Sequence, residues 1–333
     1  MTPQPLSATE DWVAKSLGPL TRRFTHHDQL QDVLPLDADR PLAVVTGFGP
    51  TNAPTAGTLS VMLGVIELQR YLRVPMTVIV SELGAWNSRN VSWSQLTDVR
   101  DQMFAFMRVI GLDSQAGIAP VQLRSHIDQA NLVRCGRIAR FLSRQDFLDH
   151  HEDLVDLYQD HGLLGSEVGL TIDALYTVAD ILGPAEEGAA RVLMLSGLEE
   201  SYFTELSRLV LQRQREAGDL SLGWQLDLGA LYFRVLEGLG GYPKMSKSIP
   251  ASGIHLGMPD DEIAGRILVA DEASQRPLLS AIELSSGWTM VEIDHARATY
   301  QRRRQEPVGW TLSKQRFAET FTTYAKIWRE CGR

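Results

Sequence analysis

Apolar positions along the chain fall into runs of two kinds, continuous ones and ones spaced for a helix. Residues 40–49, RPLAVVTGFG, are a continuous apolar and β-branched run ended by Gly47 and Gly49. Such a run predicts a strand buried on both faces, as parallel strands are. PTNAPTAGT (50–58) follows as a loop, and LSVMLGVIELQRYL (59–72) then sets apolar residues at helical spacing. VPMTVIVSE (74–82) is strand-like again. Strand, loop, helix and strand in that order predict a right-handed βαβ unit. Its helix begins at the loop, where unpaired N–H groups and the helix dipole favour a phosphate.

Residues 93–170 read mostly as helices with charged faces, an insertion between the halves of the sheet. LYTVADIL (175–182) and ARVLMLSG (190–197) are expected in the core, and ESYFTELSRLVLQRQ (200–214) as an amphipathic helix. Residues 1–40 are expected to pack as helices beside the first strand, and the pattern after Pro250 is helical to Arg333. The expected architecture is α/β. A Rossmann-like parallel sheet occupies 41–250, with its helical insertion, and a small C-terminal α-helical domain occupies 251–333.

Composition narrows the classes. With 44% hydrophobic and 22% charged residues among 333, the chain reads as an ordinary globular protein. No apolar run approaches the ~18 residues of a membrane span, so none is expected. The first twenty residues lack a basic stretch followed by an apolar core, which points to the cytoplasm. Cys135 and Cys331 lie far apart, and free thiols without a metal site are expected. A net charge of −9 argues against nucleic-acid binding over the whole surface. Two stretches depart from that average. Arg134, Arg137, Arg140 and Arg144 would share part of one helical face, and residues 301–333 carry eight Lys/Arg against three Glu, interleaved with aromatics. Each reads as a solvated or core-packed helix or as a phosphate-tracking surface.

GYPKMSKSIP (241–250) places Lys244 and Lys247 three apart on a loop of this acidic chain. In an open α/β sheet, ligands gather beyond the carboxyl ends of the strands, where loops distant in sequence converge. Lysines there can neutralise a nucleotide triphosphate and stabilise departing pyrophosphate.

KMSKS (244–248) is identical to the second signature of class I aminoacyl-tRNA synthetases, and PTNAPTAGT resembles the first, here Thr55-Ala56-Gly57-Thr58 in place of His-x-Gly-His. KMSKSIPASGIHLGMPDDEI (244–263) is similar to the tryptophanyl/tyrosyl subclass in its Ser-x-Ile-x-Leu spacing, and VADIL (178–182) and GLEESYFTELSR (197–208) resemble further stretches of it. The likeness covers residues 20–265. It departs at Thr58, at Gly84 where the subclass has a histidine, and at Asp173 where it often has a tyrosine that helps hold the substrate ammonium.

The resemblance implies adenylation of an amino acid, aromatic and tryptophan-like, by ATP with Mg2+. The acyl group would pass to tRNA or, in a divergent paralogue, to another small acceptor; a nucleotide-binding relative without catalysis is a third possibility. Lys247 and Lys244 would stabilise pyrophosphate with help from Thr55. Gly47, Gly49, Pro50, Gly57, Thr58, Gly197, Glu199, Met245, Ser246 and Ser248 would complete the ATP site. Asp180, Glu200, Asp173, Thr177, Gly84 and Val45 would face the amino acid, and Arg134, Arg137, Arg140 and Arg144 the tRNA. A homodimer is implied. Only 85 residues follow Ser248, so anticodon reading is expected to be reduced or absent.

Overall fold

A computed structural model of the chain describes residues 3–6, 11–34, 36, 39–88, 91–113, 120–148, 167–218, 223–246 and 249–333. Its strands are β1 (Gln4–Pro5), β2 (Phe24–Asp28), β3 (Leu42–Phe48), β4 (Met76–Val80), β5 (Val121–Ser125), β6 (Arg191–Ser196) and β7 (Asp227–Phe233). Its helices are α1 (Asp11–Leu17), α2 (Leu30–Val33), α3 (Ala56–Leu72), α4 (Glu82–Ser88), α5 (Trp93–Val109), α6 (Gln129–Ile138), α7 (Arg144–Leu148), α8 (Glu167–Glu186), α9 (Ser201–Glu216), α10 (Asp260–Leu268), α11 (Glu272–Ser285), α12 (Met290–Gln301) and α13 (Pro307–Cys331).

The chain divides into two compact units. The first holds Met1–Pro50, Leu68–Arg100 and Gln115–Arg234, and the second holds Thr51–Glu67, Asp101–Ser114 and Val235–Arg333.

All seven strands lie in the first unit, in the order β1-β2-β7-β6-β3-β4-β5. Strands β7, β6, β3, β4 and β5 are parallel, and β2 joins β7 antiparallel. The strands β4 and β6 are buried along their whole length, which is why their sequences read as unbroken apolar runs. From β3 the chain steps outward to β4 and β5, then returns to β6 on the other side of β3. This places a topological switch point between β3 and β6, whose C-terminal ends carry Gly47–Pro50 and Gly197–Glu200. The core of this unit packs Val45, Ile79, Val178, Ile181, Val192 and Tyr232 together.

Three expectations are corrected. Residues 1–40, expected as helices, form α1 and α2 but also contribute β1 and β2 to the sheet. FTHHD alternates too weakly to announce a strand, and pairing with β7 decides its conformation. The stretch 93–170 is no plain insertion, since β5 within it forms the sheet's parallel edge. Finally, Val168–Glu186 is long and apolar enough by length and composition to cross a membrane, where no such stretch was expected. It packs against α4, α6, α9, β3 and β6 as a core helix of the first unit.

The second unit is helical over 260–331. Phe317, Phe321, Trp310 and Trp328 of α13 are buried, and the Trp328 ring meets Phe106 edge-on at 5.5 Å between centroids. The aromatics of 301–333 therefore form core. Many of its cations pair: Arg303 and Arg304 with Glu272, Arg316 with Glu292, and Lys326 and Arg329 with Asp260. Lys314 is buried and donates to the Leu268 carbonyl at 3.0 Å, and burial lowers its pKa.

Candidate active site

In the second unit the two signature segments, nearly two hundred residues apart in sequence, are joined through backbone. Ala56 N–H donates to the Ile254 carbonyl at 3.0 Å, Leu256 N–H to the Pro54 carbonyl at 2.9 Å, and Thr55 bridges His255. Ile254 and Leu256 are fully buried, which gives the Ser-x-Ile-x-Leu spacing its physical meaning. The alternate apolar residues anchor a strand-like segment against the start of α3.

Thr55 caps that helix. Its Oγ1 accepts the Thr58 N–H at 3.2 Å and lies 3.3 Å from the Thr58 hydroxyl. Both threonines thus serve the helix start, and Gly57 sits in its first turn.

The KMSKS segment is held by one hydroxyl. Ser252, with no exposed surface, accepts the Ser246 N–H at 2.8 Å and donates to the Ile249 carbonyl at 2.7 Å. Ser246 and Ile249 also pair as an antiparallel bridge. Lys247 and Ser248, which stand between them, lie outside the described residues. Met245 is buried, donates its N–H to Leu236 and packs on Gly253. Lys244 is half-buried, and its carbonyl passes so close to Gly238 that a Cβ there would meet it at 2.8 Å. Arg266 secures the far side through the carbonyls of Pro250 (2.6 Å) and Gly253 (2.9 Å).

In the first unit, polar groups cluster at the C-terminal ends of β4 and β5. Asp173 and Asp180, seven residues apart in α8, project from one helix face. His126, immediately after β5, sits between them. Its Nδ1 lies 2.7 Å from Asp180 and its Nε2 lies 3.2 Å from Asp173, off the direction of a hydrogen bond. Burial disfavours the imidazolium, but the two carboxylates outweigh it and push the His126 pKa up to about 10. Asn131 also donates to Asp180 at 2.5 Å, and the Arg124 guanidinium forms an ion pair with it at 2.8 Å. Ser81 donates to Asp173 at 3.0 Å. Beside this group the buried Glu82 accepts from Arg100 at 2.8 Å and from Ser125 at 2.9 Å.

Gly84 belongs to the same arrangement. A Cβ there would lie 2.6 Å from both oxygens of Asp173. Glycine at 84 and aspartate at 173 thus fit together, because the carboxylate occupies the room that a side chain at 84 would take.

Thr177 turns its hydroxyl to the Asp173 carbonyl of its own helix, and Val45 is buried in the core cluster. At the end of β6, Glu200 accepts the Gly197 N–H at 3.2 Å, opening a 3-10 turn ahead of α9, and Glu199 is exposed.

The arginine face is corrected. Helix α6 ends at Ile138, Arg140 lies in a 3-10 turn and Arg144 opens α7, so the four do not share one helix. Arg134 is buried, bonded to Asn131, to the Ala179 carbonyl and to Glu186. A guanidinium taken out of water needs acceptors of this kind. Cys135 on the same helix is a free thiol whose pKa burial pushes up to about 12.

His126, Arg124, Glu82 and Ser252 were not expected from the sequence. VQLRSH is too polar to read as a strand because β5 is an edge strand. Glu82, at the end of an apolar strand run, was a usable signal for a buried, paired acid. Ser252 is the serine of the Ser-x-Ile-x-Leu spacing.

No protein-family model matches the sequence, nor does any curated protein. Solved structures do match. A tryptophanyl-tRNA synthetase from Aeropyrum pernix aligns with 99% of this chain and 93% of its own at TM-score 0.71 and 18% identity. One from Encephalitozoon cuniculi, bound to tryptophan, aligns over the same shares at TM-score 0.72 and 13% identity. A tyrosyl-tRNA synthetase from Archaeoglobus fulgidus, complexed with L-tyrosine, covers 96% of this chain and 99% of its own at TM-score 0.70 and 17% identity. Over nearly its whole length, this chain has the fold of the tryptophanyl- and tyrosyl-tRNA synthetases.

Proposed function

We propose that the protein activates an amino acid by adenylation. The amino-acid carboxylate attacks the α-phosphorus of ATP, the bond to the β-phosphate oxygen breaks, and pyrophosphate leaves with its magnesium. The reaction needs no protein nucleophile, so the chain's contribution is positioning and charge.

The observation that carries this reading is the backbone pairing of the Thr55 segment with residues 254–256. It ties a capped helix N-terminus to the loop of Lys244 in one unit, and both are suited to phosphate oxygens. In this reading Lys244 and Lys247 stabilise the leaving pyrophosphate, Thr55 caps the helix start, and Gly57 in its first turn leaves room for a phosphate. Magnesium enters as part of Mg·ATP.

The acceptor of the acyl group is tRNA in the first reading, by analogy with proteins of this fold. A small-molecule acceptor is the second. It is favoured by the burial of Arg134 and by the pairing of the C-terminal cations with Glu272, Glu292 and Asp260, which leaves the expected basic track weakened.

ATP–pyrophosphate exchange with each of the twenty amino acids tests adenylation, and acylation of total tRNA tests the acceptor. Exchange with one amino acid and a stable aminoacyl-tRNA product is the expected result of the first reading. Exchange without that product selects the second, and absence of exchange with all twenty removes adenylation of a standard amino acid. Size-exclusion chromatography is expected to give a dimer.

A further inference from the structure

The segment Thr55-Ala56-Gly57-Thr58 contains no histidine, yet an imidazole stands beside it. Thr55 and His255 face each other across the bridge that joins the two signature segments. The flanking bonds, Ala56 N–H to the Ile254 carbonyl and Leu256 N–H to the Pro54 carbonyl, make them a non-hydrogen-bonded antiparallel pair. In such a pair the two side chains leave on the same face and lie close together. Ile254 and Leu256 alternate with His255 and are fully buried on the opposite face. The half-buried His255 is therefore set beside the Thr55 hydroxyl that caps α3.

The ring is also oriented. Its Nδ1 accepts the Gly257 N–H at 3.2 Å. A ring nitrogen that accepts carries no proton, so the proton of the neutral imidazole is on Nε2, at the far end of the ring. Gly257 can approach because it has no side chain: a Cβ there would meet Ala53 at 3.0 Å and the His255 Nδ1 at 3.3 Å. One nitrogen ties the ring to its own turn, and the other is a donor.

We infer that His255 donates from Nε2 to a phosphate oxygen of the bound nucleotide, supplying from residue 255 the imidazole that residues 55–58 lack. The inference rests on the reading of this site as one that uses ATP to activate an amino acid. It leaves Thr55 and Thr58 to the helix start alone.

The test separates the two nitrogens. An asparagine amide can take the place of Nδ1 but is too short to reach that of Nε2, and a glutamine amide reaches the place of Nε2 and vacates that of Nδ1. The full chain is titrated calorimetrically with Mg·ATP and with adenosine. In His255→Asn the affinity for Mg·ATP is expected to fall about 10-fold or more, the scale of a hydrogen bond to a charged group, with adenosine affinity unchanged. In His255→Gln both affinities are expected to stay within about 3-fold of the wild type. A ring that only holds its turn gives the opposite order.

That opposite order overturns the assignment, as do equal losses in the two variants, a loss shared with adenosine, or failure of the wild type to bind Mg·ATP. Binding that follows the expected order without pyrophosphate exchange sinks the adenylation reading and leaves His255 in its role. If His255→Asn does not fold, carbethoxylation of the wild type by diethyl pyrocarbonate, mapped by mass spectrometry, decides. Mg·ATP is expected to suppress labelling of His255 and adenosine is not, and equal labelling with both overturns the assignment.

Discussion

The first unit joins its polar groups side chain to side chain, and the second holds the backbone of its signature loop on two side chains, Ser252 and Arg266. In the first, Asp180 is fixed by an imidazole, an amide and a guanidinium, and Glu82 by Arg100 and Ser125. In the second, the KMSKS segment is fixed by N–H and C=O groups meeting at Ser252, with Ile254 and Leu256 as apolar anchors. Side-chain networks of buried charge are rigid only when complete, because each missing partner leaves an uncompensated charge. The loop's own side chains are freer to change, since what Ser252 and Arg266 hold is backbone that every residue supplies. The first unit is therefore expected to respond to substitution by losing stability, and the second by losing catalysis.

Removing His126 should produce the largest effect. His126→Ala leaves the buried Asp180 and the half-buried Asp173 without the cation between them, and a loss of about 3–5 kcal/mol is expected in urea unfolding. Its charge also carries a pH signature. The folded pKa is raised from 6.5 to about 10, so the stabilisation is complete below pH 6.5 and is lost as pH rises toward 10. The urea midpoint of the wild type should fall over that range, other titrations permitting a comparison with the variant, in which this component is missing. A variant with an unchanged alkaline profile would break the comparison on the side of the first unit.

Lys247→Ala should come next, and should act the other way round. An unchanged melting temperature is expected, with a loss of about 3 kcal/mol of transition-state stabilisation in pyrophosphate exchange, roughly a hundredfold or more in rate. Equal rates would remove the proposed role of the loop.

Ser252→Ala sharpens the contrast because it touches the anchor and not the lysines. It removes the acceptor of the Ser246 N–H, while the Ile249 carbonyl keeps the backbone N–H of residue 252, and about 1–3 kcal/mol is expected, read as a lower exchange rate at saturating amino acid and a smaller drop in melting temperature. Thr55→Ala should have the smallest effect, about 1 kcal/mol of stability from the lost cap, together with a raised KM for ATP.

How legible this was in the sequence follows the same division. Strands β3, β4 and β6 are covered on both faces, so burial wrote itself into unbroken apolar runs, and the loop between β3 and α3 announced itself in Pro, Gly and Thr. The KMSKS signature is contiguous and needed no folding to be seen. The cluster of the first unit was barely visible, because it draws Glu82, Arg124, His126 and Asp180 from three separate elements, and β5 lies at the sheet edge where polar residues disguise a strand. Asp173 and Gly84 were each visible as departures. Only the fold shows that they fit together. The arginines failed as a face because the helix carrying them stops at Ile138, and no strong breaker stands there to announce it.

The Gly84 notch couples two positions by size. With aspartate at 173, a side chain at 84 meets the carboxylate at 2.6 Å unless that carboxylate turns away from Ser81, so each position sets how large the other can be.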